Sequence, residues 1–144
     1  MSRSLLPRPP APAGGYAPIV IRRGIGFVSG QFPIRDGALA FQGRVGIERT
    51  ADEAREACRL AALNVLAHVD AATEGFDTLD GLLRLEGYVA SADDFHKQPA
   101  ILDAASEVFM AYLGERGRHA RTAFAIPRLP LNATIELCVT FTVR

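Results

Sequence analysis

The chain switches several times between two hydrophobic periods. Ile19-Val20-Ile21 and Phe27-Val28-Ser29 are short β-type runs separated by Arg-Arg-Gly-Ile-Gly, which predicts a hairpin with a loop. After the Arg35-Asp36-Gly37 turn, residues 38–45 supply a third strand. From residue 51 to 73 the period becomes helical, with Ala54, Ala57, Cys58, Ala61, Ala62, Val65, Leu66 and Val69 on one face. Thr50-Ala51-Asp52-Glu53 ahead of that run is a capping box: the Thr hydroxyl can bond the backbone N–H three residues on, and Glu53 can reach back. Small residues dominate the apolar face, which suits close packing on a sheet.

Residues 82–90 return to a period of two, with Leu83, Leu85 and Val89 on one side and Arg84, Glu86 and Tyr88 on the other. A second helix is predicted over residues 99–115, where Ile101, Ala104, Ala105, Val108, Phe109 and Tyr112 make an apolar stripe. Thr122, Phe124 and Ile126 then alternate with Arg121, Ala123 and Ala125. Ile135, Leu137, Val139, Phe141 and Val143 alternate with Thr134, Glu136, Cys138, Thr140 and Thr142. The order βββαβαββ predicts an α+β domain over residues 16–144, with a mixed sheet of about six strands and two helices packed on one face. Residues 1–15, rich in Pro and Ala, read as a tail leading into it. The second sheet face is semi-polar and wide, so it is either solvated or covered by other copies of the chain.

Composition narrows the classes. The 144 residues are 49% hydrophobic and carry 16 basic against 16 acidic side chains. A net charge of zero argues against an electrostatically driven nucleic-acid or membrane-surface binder. Two cysteines, Cys58 and Cys138, are too few for a disulfide framework and lack metal-type spacing. Nothing approaches the roughly 18 consecutive apolar residues of a membrane span, and the tail has no secretory apolar run. These features predict a cytoplasmic, single-domain protein.

Familiar catalytic signatures are missing: no G-x-S-x-G elbow, P-loop or H-E-x-x-H occurs. Gly24-Ile25-Gly26 precedes a strand and is a turn. His68, His96 and His119 fall in different elements and read as ordinary surface or capping histidines, so no metal is expected. Cys58 reads as an inert core thiol, whereas Cys138 faces the polar side. Two residues stand out. Glu136 is a carboxylate amid an apolar and Thr-rich strand, where acidic residues are depleted. Arg121 opens the preceding strand beside Ala120, Ala123 and Ala125, which leave room over its guanidinium. Such a planar fork can clamp a carboxylate through two oxygens. The plainer reading of both is a solvated face or a simple ion pair. A tight hairpin centred on Pro130 would set Arg121 against about Thr140, leaving Glu136 four residues out of register, roughly 13 Å away.

Ala120-Arg121-Thr122, Arg128-Leu129-Pro130 and Ile135-Glu136-Leu137 resemble, in that order and spacing, the C-terminal signature of the RidA/YjgF family, the reactive-intermediate imine deaminases. Val28-Ser29-Gly30-Gln31 is similar to that family's Ser-Gly-Gln strand end, and Gly15-Tyr16 to its N-terminal Pro-Tyr or Asn-Tyr. The resemblance spans about residues 13–144. It implies a chorismate-mutase-like fold and a homotrimer with ligand clefts between subunits. It also implies a cofactor-free hydrolysis of 2-imino or enamine acids, such as 2-aminoacrylate, to 2-keto acids and ammonia. In that reading Arg121 binds the substrate carboxylate and Glu136 activates water, while Tyr16, Ser29, Thr122 and Ala123 belong to the substrate site. Several positions depart from the pattern. Ala123 stands where many relatives carry Cys, Asp103 where many carry Asn, and residues 95–119 form a longer segment. Gln98-Pro99 and residues 117–121 suggest a less studied branch. The competing expectation is a non-catalytic trimer that binds or senses a keto or other carboxylic acid. Ribonuclease activity, a label often attached to the family, finds little support in a neutral chain with no basic strip or His pair.

Overall fold

The computed structural model describes residues 5–144. Its elements are β1 (Ile19–Arg22), β2 (Ile25–Gln31), β3 (Ile34–Arg35), β4 (Ala38–Leu39), α1 (Ala51–Ala72), β5 (Leu79–Ala90), α2 (Gln98–Leu113), β6 (Ala120–Ile126) and β7 (Ile135–Val143). The main sheet runs β1-β2-β7-β5-β6 and is antiparallel except for β5–β6. A parallel pair cannot be closed by a tight turn, so the chain leaves β5, passes through α2 and returns as the edge strand β6. The α+β architecture, a mixed sheet with two helices, is the one expected.

The expected third strand is shorter than residues 38–45. Ala38–Leu39 pairs only with Ile34–Arg35, in a separate two-stranded ribbon. Beyond it, Gln42 and Val45 make single bridges, to Ala133 and to Ser91 and Arg49. Gly43 and Gly46, at φ +99° and +92°, interrupt the extended run.

The capping box forms as the sequence predicts: Glu53 N–H donates to the Thr50 hydroxyl at 3.1 Å, and Thr50 N–H donates to the Glu53 carboxylate at 3.0 Å. Ala54, Ala57, Ala61 and Ala62 of α1 are fully buried, so this helix lies close to α2 and to the sheet. The sheet's contribution to the core is Leu79, Leu82, Leu85 and Val89 of β5 with Ile135, Leu137, Val139 and Phe141 of β7. Parity along β5 is not uniform. The ladder with β7 slips between Leu82 and Arg84, and the extra residue, Leu83, is 47% exposed although the alternation predicted it inside.

The tail is not detached from the domain. Residues 7–18 contain no helix or strand, yet Leu6 packs on the core. The stretch from Leu5 to Ala11 borders a groove of about 870 Å³ against residues 34–37 and Leu60 and Leu63 of α1. The start of the predicted tail, residues 1–4, lies outside the described residues. Among the described residues no helix is long and apolar enough to cross a membrane.

After α2, Gly114 takes φ +58° and a 3-10 turn, Gly114–Gly117, leads into β6. This turn aims Arg121. A Cβ on Gly117 would lie 2.3 Å from the Phe109 carbonyl oxygen, against backbone that cannot rotate away. Gly117→Ala is therefore expected to lower the unfolding free energy by about 1–3 kcal/mol. The urea midpoint should fall at constant m-value, and an unchanged midpoint would mean that the turn shifts freely.

Candidate functional site

Arg121 and Glu136 stand on opposite faces of the sheet. Arg121 is in register with Leu85, which points into the helix layer, so its side chain rises beside α2. There its Nη1 donates to Asp103 Oδ1 at 2.9 Å and to Ser106 Oγ at 3.1 Å, and its Nη2 donates to the Pro99 carbonyl at 3.2 Å. Pro99, Asp103 and Ser106 share one stripe of α2 at spacings of four and three. Ser106 is itself oriented. His119 Nδ1 lies 2.6 Å from the Gly117 carbonyl and, since a carbonyl only accepts, carries the proton. In the neutral ring Nε2 is then an acceptor for the Ser106 hydroxyl at 2.9 Å, and a Ser106 lone pair is left for Arg121. The His119 ring is further held edge-on against Phe109.

Glu136 projects from the other face, where it is in register with Tyr88 of β5. It is half-buried, and no hydrogen bond or ion pair joins its carboxylate to a described residue. Gly30 makes room for it: a Cβ there would fall 1.9 Å from Glu136 Oε2. Gly30 also lines, with Tyr16, Pro18 and Gln31, a niche of about 20 Å³, space for roughly one water molecule. Ser29 beside it donates to the Ala17 carbonyl at 2.7 Å, which fastens the segment carrying Tyr16 to β2. Ser29 and the segment carrying Tyr16 thus lie at the end of β2, next to the Gly30 that makes room for Glu136, with neither side chain bonded to its carboxylate.

Thr122 lies on the Glu136 face but in a different cluster. Its hydroxyl accepts from Arg84 Nη2 at 2.7 Å; Arg84 Nε pairs with Glu86 at 3.1 Å, and Glu86 accepts from the Tyr88 hydroxyl at 3.1 Å. Tyr88 stacks on Phe124 with ring centroids 4.8 Å apart. Ala123 returns to the helix face and packs on the core. The predicted residues therefore divide into three groups: Arg121 and Ala123 on the helix side, Thr122 with Arg84 and Glu86, and Glu136 with Ser29 and Tyr16.

The tight β6–β7 hairpin weighed from the sequence does not form: the strand order is different, with β5 between those strands. Sequence reasoning missed Ser106 and His119 as Arg121's supports, and Tyr88 as Glu136's neighbour. The polar stripe at 99, 103 and 106 on α2 was a usable signal for the first pair. Tyr88 had none, since only the β5–β7 register puts it there.

Electrostatics separate the two faces further. Burial pushes the Glu136 carboxyl above the usual carboxylate range, and no partner offsets it. Cys138, two residues on, is pushed up to about 11, first by burial and then by Glu136 and Glu86, so it stays a thiol at neutral pH. Cys58 is fully buried and pushed up to about 12, the inert core thiol expected. Tyr88 is also raised, by burial and then by its bond to Glu86.

A carboxyl whose folded pKa is raised is protonated in both states below about pH 4.5. As pH climbs through the folded value it must ionise where it is poorly solvated, and stability falls. Glu136→Gln should therefore melt at a higher temperature than the parent at pH 7–8, with the gap closing toward pH 4. A gap independent of pH would assign the gain to something other than this ionisation.

Comparison with known proteins agrees with the fold. Residues 3–143 match the family described as "YjgF/chorismate_mutase-like, putative endoribonuclease". Protein TCP17 of Trypanosoma cruzi is 33% identical over 133 residues, which is 92% of this chain and 83% of that protein. A crystal structure from Shewanella oneidensis, described as a "putative endoribonuclease", superposes with a TM-score of 0.91 at 34% identity, covering 95% of this chain and 91% of that one. An Agrobacterium tumefaciens protein of unknown function gives 0.88 at 36% identity, with 92% and 84% covered. With nearly its whole length matched and its mixed sheet and two helices shared, this chain belongs to the YjgF/chorismate-mutase-like family.

Proposed function

We propose that the protein is a cofactor-free hydrolytic deaminase of 2-imino and enamine acids of the 2-aminoacrylate type. The observation that carries this reading is Glu136: an unpartnered, half-buried carboxylate with a raised pKa, admitted by the missing side chain of Gly30. A base with its pKa lifted toward neutrality is better matched to taking a proton from water and returning it. Arg121 supplies the second requirement. Three of its five N–H donors are engaged and two remain for a substrate carboxylate.

The reaction balances with these groups alone. Water adds to C2 of the protonated imine while Glu136 takes one of its protons; the C–O bond forms and the C=N π pair moves onto nitrogen. Glu136 then returns the proton to that nitrogen, and the C–N bond breaks with its electron pair leaving on ammonia. C2 becomes a carbonyl as Glu136 takes the hydroxyl proton and passes it to the ammonia. An enamine substrate enters this sequence after taking a solvent proton at C3. The products are a 2-keto acid and ammonium. General acid–base help of this kind is worth about 10²–10⁴-fold. An iminium carbon is already electrophilic, so no metal is needed.

Within one chain Arg121 and Glu136 face opposite sides of a sheet, with β5 between their strands. One small substrate can touch both only where two copies meet. The proposed enzyme is accordingly a homotrimer with intersubunit clefts, Arg121 from one copy facing Tyr16, Ser29 and Glu136 of the next. The Glu136 face supports this arrangement: Phe27 is 60% exposed there, and Phe124 and Ile25 are also uncovered, an apolar surface that a neighbouring copy would bury. Ribonuclease activity finds no such support: His68 lies in α1, His96 in the loop before α2 and His119 in the loop before β6, where it is engaged by Gly117 and Ser106.

Keto-acid release from freshly generated 2-aminoacrylate tests the reading. The protein should accelerate it, Glu136→Ala should lose about 10²–10⁴-fold, and Arg121→Ala roughly 10–150-fold, a charge-assisted contact of ~1.5–3 kcal/mol. Light scattering should give a particle three times the 15.5 kDa chain. Mixing the two inactive variants under exchange should rebuild about a quarter of the clefts if each draws on two copies. Thermal stabilisation by keto acids without turnover would instead identify a binding protein, and a monomer would remove the cleft.

A further inference from the structure

We propose that Asp103 is the specificity-determining residue of the Arg121 site and selects ligands with a cationic nitrogen next to a carboxylate. Those ligands are protonated 2-imino acids and α-amino acids, in preference to 2-keto and 2-hydroxy acids. The inference rests on Arg121 being the carboxylate anchor.

The geometry assigns complementary parts to the two side chains. Arg121 is the more enclosed, its side chain 24% exposed, and is fixed by Ser106, Pro99 and Asp103. Asp103 uses only Oδ1 in that pair; its side chain is 56% exposed, and Oδ2 bonds to no described residue. The pair is therefore neutral overall and keeps two N–H donors of Arg121 and one carboxylate oxygen of Asp103 without a partner among the described residues. An ion pair this exposed contributes little to stability, so structural support is a poor reason for it.

Charge complementarity decides what fits. A simple carboxylate approaching Arg121 meets the repulsion of Asp103 at close range. A ligand bearing –NH₃⁺ or =NH₂⁺ on the adjacent carbon turns that repulsion into attraction: its carboxylate takes the guanidinium donors and its nitrogen donates to Oδ2. Substrate and product of the proposed reaction differ in that nitrogen alone. Asp103 would hold the iminium and, once the nitrogen has left as ammonium, disfavour the keto acid that remains.

Alanine and lactate share a skeleton and a carboxylate and differ in ammonium against hydroxyl. Their dissociation constants, measured by calorimetry on the full chain and on Asp103→Asn, test the proposal. The parent should bind alanine at least about tenfold more tightly than lactate. In Asp103→Asn that preference should vanish or invert, with lactate gaining. Equal tightening of both ligands would make Asp103 a mere competitor for the guanidinium and overturn the proposal, as would an unchanged ratio. Failure of the parent to bind either ligand would sink the Arg121 anchor as well, so the two readings fail distinguishably. The substitution is isosteric and solvent-exposed, and a second variant, Asp103→Ser, should lose the preference in the same way. Thermal melts of both variants check that the fold is kept.

Discussion

The parallel pairing of β5 with β6 is the constraint on which the rest of the molecule depends. Every other pairing in the main sheet is antiparallel; β1–β2 is closed by a tight turn, whereas β2–β7 and β5–β7 join strands far apart in the chain. This pair alone requires a crossover, and α2 is that crossover. It places β6 at the sheet edge directly under the helix from which it came. Arg121 consequently finds its partners on α2, within twenty-two residues in sequence, and none on β7. The same crossover inserts β5 between β6 and β7, which puts Tyr88 beside Glu136 and separates Glu136 from Arg121.

The helix layer that this topology demands is held by small side chains. Ala54, Ala57, Ala61 and Ala62 let α1 approach α2 and the sheet closely, and Cys58 among them is a filler whose thiol is kept protonated by burial. Close packing on this face leaves the opposite one semi-polar, with Thr140, Cys138, Glu136, Tyr88 and Phe27 presented together. That asymmetry makes one side of the sheet a core and the other a surface able to receive something.

The two charged residues at the centre of the functional reading are handled in opposite ways. Arg121 is compensated at once, by a carboxylate, a hydroxyl and a carbonyl, and the hydroxyl is set in turn by His119. Glu136 is compensated by no described group, so burial acts on it alone and raises its pKa. A buried carboxylate without a partner costs stability, and a fold tolerates one most readily where its basicity is used. Gly30, whose missing side chain is what admits the carboxylate, belongs to the same arrangement.

The sequence by itself determined most of the local structure. Thr50 and Glu53 announced the start of α1, and the alternation from Ile135 to Val143 assigned each residue of β7 to a face. Arg121 and Glu136 were conspicuous as charges in strands. These are legible because capping and periodicity act over a few bonds, within one element. What the tertiary structure alone decided was relative placement. Leu83 turned outward because the ladder with a distant strand slips by one residue, and residues 38–45 gave way to a ribbon because two glycines took positive φ. Arg121 and Glu136 parted because a strand from earlier in the chain came between theirs. Strand order and register depend on which long-range pairs bury the most apolar surface, a choice made by the whole chain at once and written in no single segment.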